Sequence, residues 1–277
     1  MATFHASLTL AQRVDLSEIR FCALTARAGE PGGASRLEVG GGMAICVAPG
    51  SPLNKVLGLG LGAPVSEDDL DAIDEFYDRH EVPAQIELCP LAVDGLSARL
   101  AARGYVLQGF ENQLACALDG DGDPPLPHVD DTLSVEPTRL EEDEELWVDV
   151  VAQGFAVAEQ LAAHDMALSH DDLRGVMRGF RHGSQTRYLV RHDGQAVGGG
   201  SAYFIDGVVG LAGTATIPSH RGRGVQHAMV ARMLRDARGR ADLAIATTAP
   251  GSRSQRTFER FGFRVIYTRA VFVRAFE

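Results

Sequence analysis

The sequence has little of several features that mark specialised proteins. Its 26 basic residues include a single lysine, Lys55, and we attribute this scarcity of lysine to codon composition. Its four cysteines form no C-x-x-C pair. No run reaches the roughly 18 apolar residues of a membrane-spanning helix, and residues 1–16 lack the apolar block of a secretory signal. We therefore expect reduced cysteines, no transmembrane helix and a cytoplasmic location.

Size and charge restrict the classes of function. The chain has 277 residues, of which 45% are hydrophobic and 23% are charged, which is typical of a globular protein with one large domain or two smaller ones. The net charge of −11 argues against non-specific binding to nucleic acids or membranes. Residues 1–125 carry −10 of it and residues 126–277 carry −1. An anionic ligand is therefore expected in the second half.

An acidic segment rich in glycine and proline, residues 119–127, interrupts the chain near its middle. Such a segment continues neither a helix nor a central strand. We predict a domain over 1–122, a linker over 123–129 and a second domain over 130–277.

Hydrophobic periodicity in the second half predicts a mixed α/β pattern. The expected strands are 133–135, 187–191, 196–205, 208–216, 243–247, 263–266 and 269–274. The expected helices are 141–155, 169–180, 225–238 and 254–261. Hairpin turns are expected at Asp193-Gly194 and Asp206-Gly207.

The first half ends in a similar pattern: a strand over 86–89, a helix over 95–103, and two further strands. Setting Gly104 against Gly262 aligns residues 86–107 with 244–266, so that Leu100 matches Phe258 and Tyr105 matches Phe263. Internal duplication and a chance likeness of two helix–glycine–strand units both explain this.

The loop before the helix at 225 has the composition of a diphosphate-binding turn. Pro218 ends a strand, and Gly222 and Gly224 allow a ligand close to the backbone. The free first-turn amides of the helix favour negative charge, and Arg221 and Arg223 add two cations. The loop fits neither the P-loop nor the dinucleotide motif. The alternative is a glycine-rich loop with solvated arginines.

With the tail Phe261-Gly262-Phe263, this loop resembles that of the GNAT superfamily of N-acetyltransferases. The resemblance covers about 132–277, and the first half resembles a weaker copy, as in tandem members. The family pattern [Q/R]-x-x-G-x-[G/A] gives Arg221, Gly224 and Gln226, the last of which departs from it. The implied fold class is α/β (mixed α+β), with two GNAT-like domains that each contain a mixed, mostly antiparallel sheet flanked by helices.

The resemblance also implies acetyl-CoA as the cofactor of the second half. The expected cofactor-binding residues are Thr214, Ala215, Thr216, Arg221, Gly222, Arg223, Gly224, Val225, Gln226, Ser252 and Ser254. In the first half, Ser66 and Asp69 predict a helix start whose amides are already bound by carboxylates. We therefore expect no cofactor there.

The catalytic residues are harder to assign. The tyrosine that commonly protonates the thiolate in the family is replaced here by Phe258. We therefore choose Tyr267 as the candidate acid. The alternative is that Tyr267 is a half-buried aromatic residue of a strand with no catalytic role. Glu159 and His164 lie between the first two helices of the second half and are candidate bases. The alternative for each is a surface residue without a catalytic role. The histidines and cysteines show no metal-ligand spacing, and we predict no metal.

The sequence leaves three functions open. One is an acetyl-CoA-dependent N-acetyltransferase acting on an amine of a small molecule, and another is a non-catalytic protein that senses acyl-CoA or serves as a scaffold. The third is a nucleotide- or phosphate-binding α/β protein outside the superfamily, which requires the tail Phe261-Gly262-Phe263 to be a coincidence. The expected partner is a small-molecule amine, with no nucleic acid and no membrane, and a homodimer is left open.

Overall fold

The structure, a computed structural model, describes residues 6–28, 35–47, 49–118, 132–138, 141–157, 170–179 and 183–276. The helices are α1 (Leu8–Ala28), α2 (Glu67–Arg79), α3 (Leu96–Ala102), α4 (Glu141–Phe155), α5 (His170–Gly179), α6 (Val225–Ala237) and α7 (Arg253–Arg260). The strands are β1 (Ser35–Val39), β2 (Gly42–Cys46), β3 (Lys55–Leu57), β4 (Ala84–Leu88), β5 (Val106–Ala117), β6 (Leu133–Pro137), β7 (Gln185–His192), β8 (Gln195–Ile205), β9 (Val208–Thr216), β10 (Leu243–Thr248) and β11 (Arg264–Arg274).

The described chain divides into two compact units. The C-terminal unit is Leu114–Val265, and the N-terminal unit holds the described residues up to Gln113 and from Ile266 onward. The strand order is β5-β10-β9-β8-β7-β6 in the C-terminal unit and β1-β2-β3-β4-β11-β5 in the N-terminal unit. Only β9–β10 and β3–β4 are parallel among the pairings resolved. The predicted mixed, mostly antiparallel sheets are confirmed.

The predicted hairpins of the C-terminal unit are also confirmed. Asp193 and Gly194 have φ of 49° and 80°, and Asp206 and Gly207 have φ of 49° and 76°. Two successive positive φ values are the geometry of a type I′ turn, which matches the twist of antiparallel strands. These turns fix the register of β7, β8 and β9.

Glycines in β8 bring helices close to the sheet of the C-terminal unit. A Cβ atom at Gly198 would lie 2.5 Å from Val225 Cγ1, and one at Gly199 would lie 2.8 Å from Val151 Cγ2. Trp147 of α4 is buried, and its Nε1 donates to the carbonyl oxygen of Gly200 at 3.0 Å. A triple glycine within a strand favours a bulge or close strand packing, and here Gly198–Gly200 forms a packing surface for α4 and α6.

The C-terminal strand differs from the sequence prediction in two respects. Residues 263–266 and 269–274 were predicted as two strands, but β11 is continuous, because its sequence contains no turn residue. Our boundary placed 266–277 with the second half, whereas this strand pairs with β4, Val271 opposite Glu87, in the N-terminal unit. The predicted linker 123–129 lies outside the described residues.

Buried charges explain why β11 belongs to the N-terminal unit. Arg269 is fully buried, and its guanidinium lies 2.6 Å from Asp15, 2.8 Å from Glu18 and 3.0 Å from Glu87. Lys55 Nζ lies 2.9 Å from Glu87. Burial of a charge is costly unless it is paired, so β11 is stable here only with its arginine among these carboxylates.

The two units repeat one local pattern. Tyr105 N donates to the carbonyl oxygen of Leu100 at 3.1 Å, and Phe263 N donates to that of Phe258 at 3.2 Å. Gly104 and Gly262, between them, have φ of 83° and 86°. The alignment from sequence therefore matches a structural repeat. No helix in the described residues is long and apolar enough to cross a membrane.

Candidate functional site

Strands β9 and β10 separate at one end of the C-terminal unit. Their parallel pairing runs from Leu243–Val208 to Ile245–Gly210 and goes no further within these two fully described strands. β9 continues to Thr216 and β10 to Thr248. Beyond Gly210, the edge of β9 that faces β10 is therefore open.

A β-bulge in β9 accompanies this separation. Gly199 pairs with Ala215, but Ser201 pairs with Ala212, so Gly213 and Thr214 stand opposite Gly200 alone. Gly213 has φ of 61°, which favours glycine. A bulge bends its strand and increases the twist, which directs β9 away from β10. The bulge lies opposite Gly200, in the triple glycine for which the sequence favours a bulge or close packing, but its extra residue belongs to β9 and not to β8.

The first turn of α6 lies directly after this strand. Gly224 is the N-cap in a left-handed conformation with φ of 79°, and Gly222 has φ of 78°. No side chain in the described residues caps the helix, and the first intrahelical bond is from Ala228 N to Gly224 O at 2.9 Å. The amides of residues 225–227 therefore point outward with the positive end of the helix dipole, as an anion site requires.

The two arginines of the loop have different environments. Arg221 Nη2 donates to the carbonyl oxygens of Gly154, at 2.8 Å, and Val157, at 2.7 Å. Its Nε donates to the carbonyl oxygen of Thr216 at 3.4 Å. We expected both guanidinium groups to face a ligand, but that of Arg221 ties the loop to the end of α4, whereas Arg223 is exposed.

Three of the expected cofactor-binding side chains are joined to one another. Gln226 Nε2 donates to Thr214 Oγ1 at 3.2 Å and to Ser254 Oγ at 2.9 Å. Ser252 instead is the N-cap of α7 and accepts from Gln255 N at 3.1 Å. Ser252 therefore has the common structural role of a capping serine.

Two histidines lie beside the loop. Ser219 Oγ lies 3.0 Å from His220 Nδ1, and the rings of His192 and His220 are 5.5 Å apart. Desolvation, Arg223 and His192 lower the pKa of His220, in that order. His227 Nε2 lies 3.3 Å from an Arg260 nitrogen, and burial followed by Arg260 lowers its pKa. Both shifts favour the neutral form of the ring.

The structure places Tyr267 outside the C-terminal unit. Its hydroxyl donates to Asp15 Oδ1 at 2.5 Å within the N-terminal unit, and the side chain is 6% exposed. Burial raises the pKa of Tyr267 well above its usual range. The proton is thus committed to Asp15, and the role of Tyr267 as the acid finds no support in the structure. Glu159 and His164 lie outside the described residues.

Phe258, at the position of the expected tyrosine, is an apolar core residue. It is 2% exposed, and its ring packs edge-on against that of Phe263 with centroids 5.1 Å apart. It donates no proton, so the usual acid of the family has no equivalent at this position.

The arginines of α5 bind carboxylates of α4. Arg178 Nη2 lies 2.8 Å from Glu145, Arg174 lies 3.5 Å from Glu145, and Arg174 also pairs with Asp149. These pairs hold the two helices together.

The equivalent helix start in the N-terminal unit is capped by its own side chains. Ser66 Oγ accepts from Asp69 N at 3.1 Å, and Ser66 N donates to Asp69 Oδ2 at 2.7 Å. This is the predicted capping box, and Glu67 and Asp68 add negative charge to the same turn. The turn presents carboxylates where α6 presents free amides.

Comparison with known proteins identifies the C-terminal unit. The model of the acetyltransferase (GNAT) family matches residues 142–263, which include the bulged strand, the loop and α6. These residues belong to the GNAT acetyltransferase family. No curated protein sequence matched the chain.

Solved structures extend the likeness beyond this GNAT domain. A GCN5-related N-acetyltransferase from Kribbella flavida is 18% identical with a TM-score of 0.68, over 95% of both chains. A tandem GNAT protein from the clavulanic acid biosynthesis pathway is 15% identical with a TM-score of 0.56, over 99% of this chain and 97% of that one. A third, from Sphaerobacter thermophilus, is 15% identical with a TM-score of 0.57, over 88% of this chain and 76% of that one. The whole chain therefore has the tandem GNAT fold.

Proposed function

We propose that the protein is an acetyl-CoA-dependent N-acetyltransferase that acetylates an amine of a small molecule. The observation that carries the proposal is the uncapped start of α6 beside the open edge of β9. The first feature suits a diphosphate and the second suits an extended arm with amide groups. Membership of the GNAT family in residues 142–263 supports the same assignment.

In this proposal, the loop and the first turn of α6 hold the diphosphate. The amides of Val225, Gln226 and His227 donate to it, and Arg223 supplies the cation, because the guanidinium of Arg221 is bonded to carbonyl oxygens. The open edge of β9 at Thr214–Thr216 offers backbone groups to the carrier arm. When bound, acetyl-CoA supplies the acetyl group as a reactive thioester.

The amine needs a base and the thiolate has little need of an acid. An alkylammonium has a pKa of about 10, so a base must remove its proton before it can attack. Glu159 and His164 remain our candidates for that base. A thiol has a pKa of about 8.5, so its thiolate leaves readily, which is compatible with Phe258 at the position of the usual acid.

We assign one cofactor site to each chain, in the C-terminal unit. The capping box of Ser66 and Asp69 supports this, because carboxylates occupy the helix start of the N-terminal unit. Calorimetric titration with CoA is expected to give one molecule per chain. A stoichiometry of two would contradict the assignment.

Phe258 also favours a second candidate function, an acyl-CoA-binding protein without turnover. An assay of thiol release from acetyl-CoA with a panel of small amines separates the two. Release that depends on an amine supports the enzyme. Stabilisation by CoA against heat, without release for any amine, supports the binding protein. No stabilisation and no release would contradict both.

A further inference from the structure

Strand β1 lies at the edge of the sheet of the N-terminal unit. It pairs antiparallel with β2, from Ser35–Cys46 to Val39–Gly42, and these described residues pair without a register shift. Within the part of the chain that the structure describes, no strand pairs with the other edge of β1. β1 is therefore a regular edge strand that presents a row of unpaired backbone groups.

The turn after β1 shows which backbone groups these are. Residues 40 and 41 form a two-residue glycine turn with φ of 52° and 78°, so Val39 and Gly42 face each other as a hydrogen-bonded pair. Such pairs alternate along an antiparallel ladder, so every second residue back from Val39 also directs its N–H and C=O groups towards β2. The backbone groups of Arg36 and Glu38 therefore point to the open edge.

β1 lacks the protection that the edge strand of the C-terminal unit has. β6 contains Pro137, which has no N–H group, and Arg232 Nη1 donates to the carbonyl oxygen of Val135 at 2.8 Å. Proteins use proline and bulges to prevent association through edge strands. β1 contains neither a proline nor a bulge among its described residues. The edge of β1 is therefore available to another strand.

The side chains of β1 match a second copy of the same strand. In an antiparallel pair with a two-fold axis at Leu37, Arg36 lies opposite Glu38 of the partner subunit, and the symmetric pair forms on the other side of the axis. These are the residues whose backbone groups point to the edge, so each pair also exchanges backbone hydrogen bonds. An axis at Arg36 or at Glu38 would place like charges opposite each other, which is unfavourable. The charges therefore favour one register.

The surroundings of β1 suit this pairing on both faces. On the face towards α2, the half-buried Leu37 lines a groove with Ala72 and Phe76 of that helix, so a second leucine at the axis meets apolar side chains. On the other face, Arg36 and Glu38 are exposed, and neither has an ion-pair partner within the described residues. Both charges are therefore free to pair with a second copy.

We infer that two copies of this chain form a two-fold symmetric dimer through their β1 strands. The alternative is that Arg36 and Glu38 are solvated charges that keep the edge from associating. The two interpretations differ in what a reversal of charge does. In the dimer, one reversal turns both opposite-charge pairs into like-charge pairs, and a second reversal restores them. On a solvated edge, no reversal changes the mass of the protein in solution.

The test measures the association of the full-length chain by sedimentation velocity over a wide range of protein concentration. The variants are Arg36→Glu, Glu38→Arg and the double variant that carries both changes. Glu136→Arg, at an exposed glutamate of β6, is the matched control, because it reverses the same charge on a different edge strand. Thermal unfolding at a concentration at which the chain is monomeric checks that each variant is folded.

We expect the wild type to dimerise as its concentration rises, and each single reversal to weaken the dimer by at least about tenfold. The double variant should dimerise like the wild type. An equimolar mixture of the two single variants should also form dimers, because opposite charges then face each other again. Glu136→Arg should behave as the wild type does.

A wild type that stays monomeric at every concentration would overturn the inference and show that the charges protect the edge. A dimer that the single reversals leave intact, that the double variant fails to restore, or that Glu136→Arg weakens equally would place the contact elsewhere and overturn it as well. None of these results bears on the proposed function, since CoA binding is assigned to the C-terminal unit.

Discussion

The guanidinium of Arg221 donates a hydrogen bond to the carbonyl oxygen of Gly154 across 2.8 Å. This contact joins the loop before α6 to the last turn of α4. A carbonyl at the end of a helix has no intrahelical partner, so a guanidinium there satisfies a polar group and suits the helix dipole. Arg221 therefore positions the loop, and in the proposed function Arg223 is the loop arginine that faces the diphosphate.

The two arginines are expected to respond differently to substitution. Arg221→Lys removes the forked pair of bonds to Gly154 and Val157, which one ammonium group does not reproduce. We expect a loss of about 1–2 kcal/mol in the free energy of unfolding and weaker CoA binding. Arg223→Ala, at an exposed side chain, is expected to change stability by less than about 0.5 kcal/mol.

Salt provides the second comparison for these arginines. Calorimetry at low and high salt should show weaker CoA binding and a smaller salt dependence for Arg223→Ala, because an exposed cation near a diphosphate is screened. Equal losses of stability in the two variants would contradict the different roles.

The contact of α4 with β9 is tested by two helical glycines. A Cβ atom at Gly154 would lie 2.7 Å from Ala215 Cβ and 3.2 Å from Thr216 N, whereas one at Gly175 meets nothing within 4 Å. Gly154→Ala is expected to lose about 1–3 kcal/mol of stability through overpacking and to weaken CoA binding. Gly175→Ala, the control, is expected to gain about 0.5–1 kcal/mol from helix propensity. Similar effects of the two changes in denaturant unfolding would show that α4 does not press on β9.

Much of the C-terminal unit could be predicted from its sequence, because local chemistry determines it. β9 has the predicted bounds, and the Asp-Gly turns fix the hairpins on either side of it. The positive φ values of Gly222 and Gly224 likewise follow from their residue type.

Features that depend on distant partners could not be predicted. The pairing of β11 with β4 rests on Arg269 meeting carboxylates of α1 and β4, which lie far away in the sequence. The partner of Tyr267 could not be predicted for the same reason, because Asp15 is 252 residues away. The carbonyl partners of Arg221 near the end of α4 are equally non-local.

Tyr267→Phe is expected to change stability and leave catalysis alone. The substitution removes the hydrogen bond to the buried Asp15, whose Oδ1 then keeps Arg269 as its one remaining partner among the described residues. We expect a loss of about 1–3 kcal/mol in the free energy of unfolding. With an amine that supports turnover, the pH profile of kcat should match that of the wild type. A loss of the basic limb of that profile would restore Tyr267 as the acid.

Glu111, in β5, makes stability depend on pH. Burial, and then the charge of Glu87, raises the pKa of Glu111 from 4.5 to about 8. A carboxyl group with a raised pKa favours the folded state at low pH, and that contribution is lost as pH rises from about 4.5 to about 8. Glu111→Gln removes this loss. The melting temperature of the variant minus that of the wild type should therefore increase as the pH rises from about 4.5 to about 8.

The control for this prediction is Glu38→Gln, at an exposed glutamate of β1. It should differ from the wild type by the same small amount at every pH. If Glu111→Gln and the wild type show the same dependence of melting temperature on pH, the raised pKa of Glu111 is contradicted.

Hydrogen–deuterium exchange of the full chain with and without CoA tests the central assignment most directly. If CoA binds at the start of α6, the amides of residues 225–227 should exchange more slowly when CoA is present, since the diphosphate accepts their hydrogens. The capped turn at residues 66–69 should exchange at the same rate in both conditions. Protection at 66–69, or CoA binding without protection at 225–227, would show that the acyl carrier is held elsewhere.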